Sequence, residues 1–256
     1  MLRKTLNTFL LLLAAAAVFA SGDYWVKPMQ EIHKKFTGTP GSVRLCGDSI
    51  TEAAEFWDPV QYVETAPDFD LKSVKKYIEP GSWQVKGSFF GNMKGWTINN
   101  GMGVLDLLIL KKQNPEACIV MFGTNDLEGG APSETGYDKK LRLFIDKILK
   151  NGTVAIMSTI PPKRDKLTKV EDYNKEIRKI AFEKNVPLIE LYEEIFSRQP
   201  EKWDGELISD GTHLTWNSGF NKFDEASLKK NGNMTRNYAT FKKYAEVYKK
   251  IFKKQK

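Results

Sequence analysis

Apolar runs rich in β-branched residues alternate along the chain with segments whose apolar positions recur at helical spacing. The pattern predicts strand Ser42–Cys46, a helix from Ser49, a short strand near Trp96–Ile98, and helix Val104–Lys112. Strand Ala117–Phe122, helix Thr135–Lys150, strand Thr153–Ser158, helix Val170–Lys184 and strand Val186–Glu190 complete the series. Such alternation implies a parallel sheet covered by helices on both faces, with ligands bound beyond the carboxyl ends of the strands. Before the first strand, "YWVKPMQEIHKKF" reads as an amphipathic helix. At the other end, Tyr238, Phe241, Tyr244, Tyr248, Ile251 and Phe252 recur at helical spacing opposite lysines, predicting a helix over about 236–254. Between about 57 and 100 the pattern weakens into a Pro-, Gly- and aromatic-rich insertion. It reads equally as a functional loop or as an excursion packed by its own rings.

The first 20 residues stand apart. Arg3 and Lys4 precede the apolar stretch "FLLLLAAAA", and small residues follow up to Ala20. This is the layout of a secretory signal peptide, too short for a comfortable membrane span. It leaves residues 21–256 as one domain and predicts a secreted or periplasmic protein. At 256 residues, 41% apolar and 28% charged, the chain has the composition of an ordinary globular protein. The net charge of +7, or +5 without Arg3 and Lys4, is mostly lysine spread over helix faces. No clustered basic motif marks a nucleic-acid binder, and a docked terminal helix accounts for the C-terminal lysines better than a membrane surface does. If "LCG" and "FGT" end neighbouring strands level with each other, Cys118 lies four residues below Cys46, out of disulfide reach. Two buried free thiols are expected.

Ser49-Ile-Thr-Glu52 matches the S-x-x-E capping box, so helix capping is the first reading of this serine. Histidine supply sharpens the choice, because the chain holds only His33 and His213. His33 lies in the N-terminal helical pattern without a carboxylate signature and reads as a surface or packing residue. His213, in "SDGTHL", follows Asp210 by three positions across a glycine turn. That spacing suits a carboxylate on one ring nitrogen, leaving the other to take a proton. Asn125, in "MFGTNDL", ends a strand where an amide can donate to an oxyanion, while Asp126 reads as a cap or turn residue. Gly101, in "NNGMG", offers a backbone N–H open to close approach.

Together "GDS", "NNG", "GTND" and "DGTH", in this order over roughly residues 40–220, resemble the four blocks of the SGNH (GDSL-type) hydrolase superfamily. The resemblance implies a three-layer α/β/α sandwich around a flavodoxin-like five-stranded parallel sheet. It further implies Ser49 as nucleophile, Asp210 and His213 as orienter and base, and Ser49, Gly101 and Asn125 as the oxyanion hole. Block one reads GDSI in place of GDSL, and "NNGMG" departs from the commoner N-x-G-x-x-G. The layout looks like that of secreted bacterial members acting on sugar esters. The implied activity is ester hydrolysis on a small-molecule or polysaccharide substrate, with acetyl esters foremost and no cofactor or metal. A lipase, lysophospholipase or thioesterase on longer chains, or a non-catalytic carbohydrate binder, are the alternatives. Trp83, Trp96 and Trp203 are candidate platforms for sugar rings, with core packing as their other reading.

Overall fold

The computed structural model describes residues 22–253. The expected signal peptide and the last residue of the expected C-terminal helix lie outside them. Four parallel strands, β1 (Thr39–Gly47), β2 (Pro115–Met121), β3 (Val154–Ser158) and β4 (Leu188–Ile189), form one sheet in the order β1-β2-β3-β4. Every residue of β2 and β3 is buried, as their near-continuous apolar runs require in a sheet covered on both sides.

Helices α1 (Val26–His33), α2 (Ser49–Glu52), α3 (Leu71–Tyr77), α4 (Ile98–Val104), α5 (Tyr137–Lys150), α6 (Leu167–Glu183), α7 (Leu191–Arg198), α8 (Glu225–Leu228) and α9 (Gly232–Val247) surround the sheet. Helices α4, α5 and α6 pack side by side, with α5 and α6 against β3. Helix α9 packs on α3, α7 and β4. Two helices continue in wider π-type turns, α4 through Leu105–Lys111 and α9 through Tyr248–Phe252.

The expected fifth strand shrinks to a single parallel bridge, Gly47 with Asn92, on the outer side of β1. Residues 96–98 are not a strand. Asn100 Oδ1 accepts the Thr97 N–H at 2.9 Å, and this reciprocal cap starts α4 at Ile98. Asn92 compensates for the missing ladder: its amide donates to Leu45 O and Val85 O, both at 2.8 Å, and its oxygen accepts the Gly87 N–H. The aromatic insertion is packed by its own rings and α9. Trp57 lies 4.5 Å from Phe241 between ring centroids, and Trp83 stacks on Phe241 at 6.0 Å. Its last stretch borders the carboxyl end of β1, where Gly91 O accepts the Gly47 N–H at 3.0 Å and Met93 N–H donates to Gly47 O at 3.3 Å.

His33 has a partner that its neighbours in sequence do not reveal. Its Nε2 meets Glu116 Oε1 at 2.8 Å, and the buried Glu116 also accepts from Tyr77 Oη and the Gly41 N–H. Glu116 sits at the start of β2, the end of the sheet away from Gly47, so His33 ties the N-terminal helix to the sheet.

The register departs from the level-ended arrangement by two residues. Gly47 pairs with Met121 and Arg44 with Cys118, so Cys118 lies two residues below Cys46, on the same face of the sheet. Contact with Cys46 and burial push the Cys118 thiol well up. Both cysteines are free. Diagonal Cα atoms on adjacent strands stand about 7–8 Å apart, at the edge of what a disulfide spans without backbone movement. Both thiols should therefore resist a thiol reagent in the native protein and both react after denaturation without reductant. An intact mass two hydrogens short would contradict that register.

Candidate active site

Ser49 does not cap its helix. Asp48 is the N-cap, its Oδ1 accepting the Ile50 N–H at 3.0 Å, and Ser49 is the first helical residue. Its hydroxyl is thereby released, and lies 2.8 Å from His213 Nε2. His213 Nδ1 lies 2.6 Å from Asp210 Oδ2, while Asp210 Oδ1 accepts the N–H groups of Thr212 and His213 at 2.9 and 3.0 Å. Burial acts to raise the Asp210 carboxyl. The donors His213 and Thr212 outweigh it and hold the group below the usual carboxylate range. Three side chains that the motifs single out thus form one continuous hydrogen-bonded chain.

Asp210 and His213 sit at the tip of a narrow hairpin. Leu207 bridges Leu214, Ile208 N–H donates to His213 O at 2.9 Å, and Thr215 N–H donates to Glu206 O at 2.8 Å. Gly211, at φ +67°, makes the turn, and a Cβ there would stand 2.7 Å from Arg164 Cβ. Arg164 in turn holds the tip, its N–H donating to Gly211 O at 2.8 Å and its guanidinium to Ser209 O at 3.3 Å. The segment carrying Arg164 is fastened beside Asn125, since Glu128 accepts from both Lys163 and Lys166. Those lysines, Lys166 first, draw the Glu128 carboxyl down to about 2.

Behind α2 lies the buried Arg236 of α9. It donates to Ile50 O and to Thr51 Oγ1, and its Cζ stands 3.5 Å from the centre of the Phe56 ring. It is the positive neighbour of Asp48, whose carboxyl burial nonetheless pushes up to about 6. Asp126, beside the site, takes the Ile98 N–H on both oxygens at 3.2 and 3.3 Å, and burial raises it likewise to about 6.

Asn125 Nδ2 donates to Trp96 O at 2.9 Å, which fixes the amide and leaves its second hydrogen unused. Gly101 is not brought to the site. It lies inside α4, its N–H donates to Thr97 O at 3.3 Å, and a Cβ on it would meet the Phe122 ring at 2.5 Å. The glycine serves close packing of α4 on the sheet and has no free donor. In the stretch before it, the N–H groups of Gly95 and Asn99 find no partner among the described residues. Gly95 is the third residue of a turn closed by Trp96 N–H on Met93 O at 3.1 Å, and its φ of +78° is that of a type II turn, which favours glycine. Trp83 packs against Trp57 and Phe241, and Trp203 stacks on Phe196, so each has ring partners within the fold. Trp216, three residues beyond His213, is exposed, as are Ile208 and Met93.

Among the described residues no helix is long and apolar enough to cross a membrane. The family model of GDSL-like lipases and acylhydrolases matches residues 45–217. Comparison with curated proteins gives no significant match. Among solved structures, a catalytic mutant of Axe2, an acetylxylan esterase from Geobacillus stearothermophilus, superposes with a TM-score of 0.57 at 14% identity. The match covers 82% of this chain and 96% of that one. The acetyl xylan esterase AlAXEase gives 0.54 at 21% identity, over 78% and 98% of the two chains. LAE5, an α/β hydrolase enzyme from the metagenome of Lake Arreo, Spain, gives 0.55 at 15% identity, over 82% and 97%.

At the base of the hairpin that carries His213, burial pushes the Glu206 carboxyl up to about 7. A carboxyl raised on folding contributes stability below its ordinary pKa, and that contribution is lost as pH rises through the folded value. Glu206→Gln should accordingly stabilise the protein by roughly 2 kcal/mol at pH 8.5 and be near neutral at pH 4, read by denaturant unfolding.

The sheet with its helical cover, the Ser49–His213–Asp210 chain and a family match spanning most of the sequence converge on one statement: the protein belongs to the GDSL-like lipase/acylhydrolase family of serine ester hydrolases.

Proposed function

We propose that the protein removes short acyl groups, acetyl foremost, from carbohydrate esters, with Ser49 as nucleophile, and that it acts after export. The observation that carries the chemistry is the unbroken chain from Ser49 Oγ through His213 to Asp210. His213 Nε2 takes the Ser49 proton as Oγ attacks the ester carbonyl. Asp210 holds the ring by Nδ1 and steadies the imidazolium that forms. The oxyanion is met by the Ser49 N–H at the head of α2, by Asn125 Nδ2 and by the Gly95 N–H, which takes the role first read for Gly101. His213 then protonates the leaving alcohol, and water repeats the sequence on the acyl-enzyme.

Carbohydrate as the alcohol rests on two supports. The acid–base pair is open to solvent, with side-chain exposures of 43% for Asp210 and 37% for His213, which suits a bulky alcohol approaching from outside. The matched acetylxylan esterases share the fold. Export rests on the charged and apolar pattern of residues 1–20.

Purified protein should turn over p-nitrophenyl acetate and acetylated polysaccharide faster than palmitoyl esters. A preference for palmitoyl would move the assignment to a lipase. Ser49→Ala should abolish turnover and labelling by a fluorophosphonate, with folding stability within about 0.5 kcal/mol, because Asp48 and not Ser49 caps the helix. Asn125→Ala should lower kcat on the order of a hundredfold with KM little changed, since an oxyanion donor acts in the transition state. A variant with unchanged kcat and lowered Tm would make Asn125 a turn residue only.

A further inference from the structure

The S-x-x-E signature predicts that Glu52 reaches back to cap its own helix. It does not. Among the described residues the only side-chain cap is Asp48 on the Ile50 N–H, and Glu52 Oε2 accepts the Lys94 N–H at 2.7 Å from the neighbouring segment. We propose that Glu52 is a positioning residue that holds the backbone donor Gly95 against the nucleophile; the inference rests on the oxyanion role given to Gly95 above.

The segment from Lys94 to Ile98 has little regular structure of its own to hold it. It contains a two-residue turn with Gly95 at positive φ, and the space where a Gly95 side chain would sit is open. Three bonds pin it from outside. Asn125 Nδ2 binds Trp96 O and Asp126 binds the Ile98 N–H, both from the strand end that supplies the side-chain oxyanion donor. Glu52 binds the Lys94 N–H from the helix that supplies the nucleophile. Gly95 lies between the two sets of anchors. On the Ser49 side the only other hold on the turn among the described residues is its first residue, Met93, whose N–H donates to Gly47 O at 3.3 Å; without Glu52 that longer bond remains and Lys94 and Gly95 can shift away from Ser49. The same arrangement leaves the Ser49 N–H uncapped, because the carboxylate that a capping box would return to the helix start is spent on Lys94.

Glu52 touches neither His213 nor the reacting atoms in this arrangement, so its loss should appear in kcat and not in the pH profile. With p-nitrophenyl acetate, Glu52→Ala should lower kcat about tenfold, a part of the 10²–10³ that a whole oxyanion donor is worth. KM and the acid limb of kcat/KM should stay unchanged. Glu52→Gln keeps an oxygen acceptor and should restore most of the rate. Replacing Gly95 by glycolic acid turns its amide into an ester and removes the N–H alone. That form should lose on the order of a hundredfold, and Glu52→Ala added to it should cost little more, since coupled residues are non-additive.

If the glycolate form loses its rate while Glu52→Ala stays within twofold of the wild type, the role of Glu52 falls and that of Gly95 stands. If the glycolate form keeps its rate, the Gly95 donor falls instead. Glutamine as slow as alanine, or a shifted pH profile, would mean that the charge of Glu52 acts and that the tether does not.

Discussion

Each chemical segment of this enzyme is fixed by an aspartate that accepts backbone N–H groups at a turn. Asp48 takes the Ile50 N–H and so sets Ser49 at the head of α2. Asp126 takes the Ile98 N–H and fixes where α4 starts. Asp210 takes those of Thr212 and His213 with one oxygen while its other meets the imidazole. A carboxylate aimed at N–H groups satisfies donors that would otherwise be orphaned at a helix or turn start. It also fixes the direction in which the next side chain leaves the backbone. The reactive groups inherit their geometry from these three anchors.

The anchors are tied to each other by side chains that the motifs do not contain. Arg236 braces α2 from behind. Arg164 holds the tip bearing His213, and the segment of Arg164 is fastened by Lys163 and Lys166 to Glu128, three residues after Asn125. The segment of Asn125 and the hairpin of His213 are therefore joined in one connected network. The long sequence separation between Ser49 and His213 is spanned by packing in the core and by this polar collar at its rim.

What could be read from the sequence follows how local each feature is. The alternating pattern gave the parallel sheet because its period belongs to each strand alone. Ser49, Asp210 and His213 were singled out by four short blocks whose order resembles one family, each block being weak alone, and the fold brings their side chains together. Gly101 was misread. The glycine in "NNGMG" is conspicuous, yet Asn100 caps Thr97 and buries that glycine within a helix against Phe122. Gly95, in "KGW", lay in the aromatic insertion just before the stretch read as a strand, and nothing local distinguishes a turn glycine whose anchors come from α2 and from Asn125. Glu52 fits a capping box by spacing alone; its actual partner, 42 positions on, is set by tertiary structure. His33 and Glu116, 83 positions apart, are paired by the fold and by no motif.

The same anchors carry a cost that makes stability depend on pH. Asp48 and Asp126 are raised to about 6 and Glu206 to about 7 by burial. Their contribution to stability is full in acid and is lost as pH climbs through those values. Asp210 is held low by its N–H donors, so its contribution has the opposite sign and fades only as pH falls below the ordinary carboxylate range. From about 4 upward the raised groups lose their contribution, Asp48 and Asp126 by about 6 and Glu206 by about 7, while Asp210 retains its own. That alkaline loss is the cost of burying Asp48, Asp126 and Glu206 among the segments they hold in place.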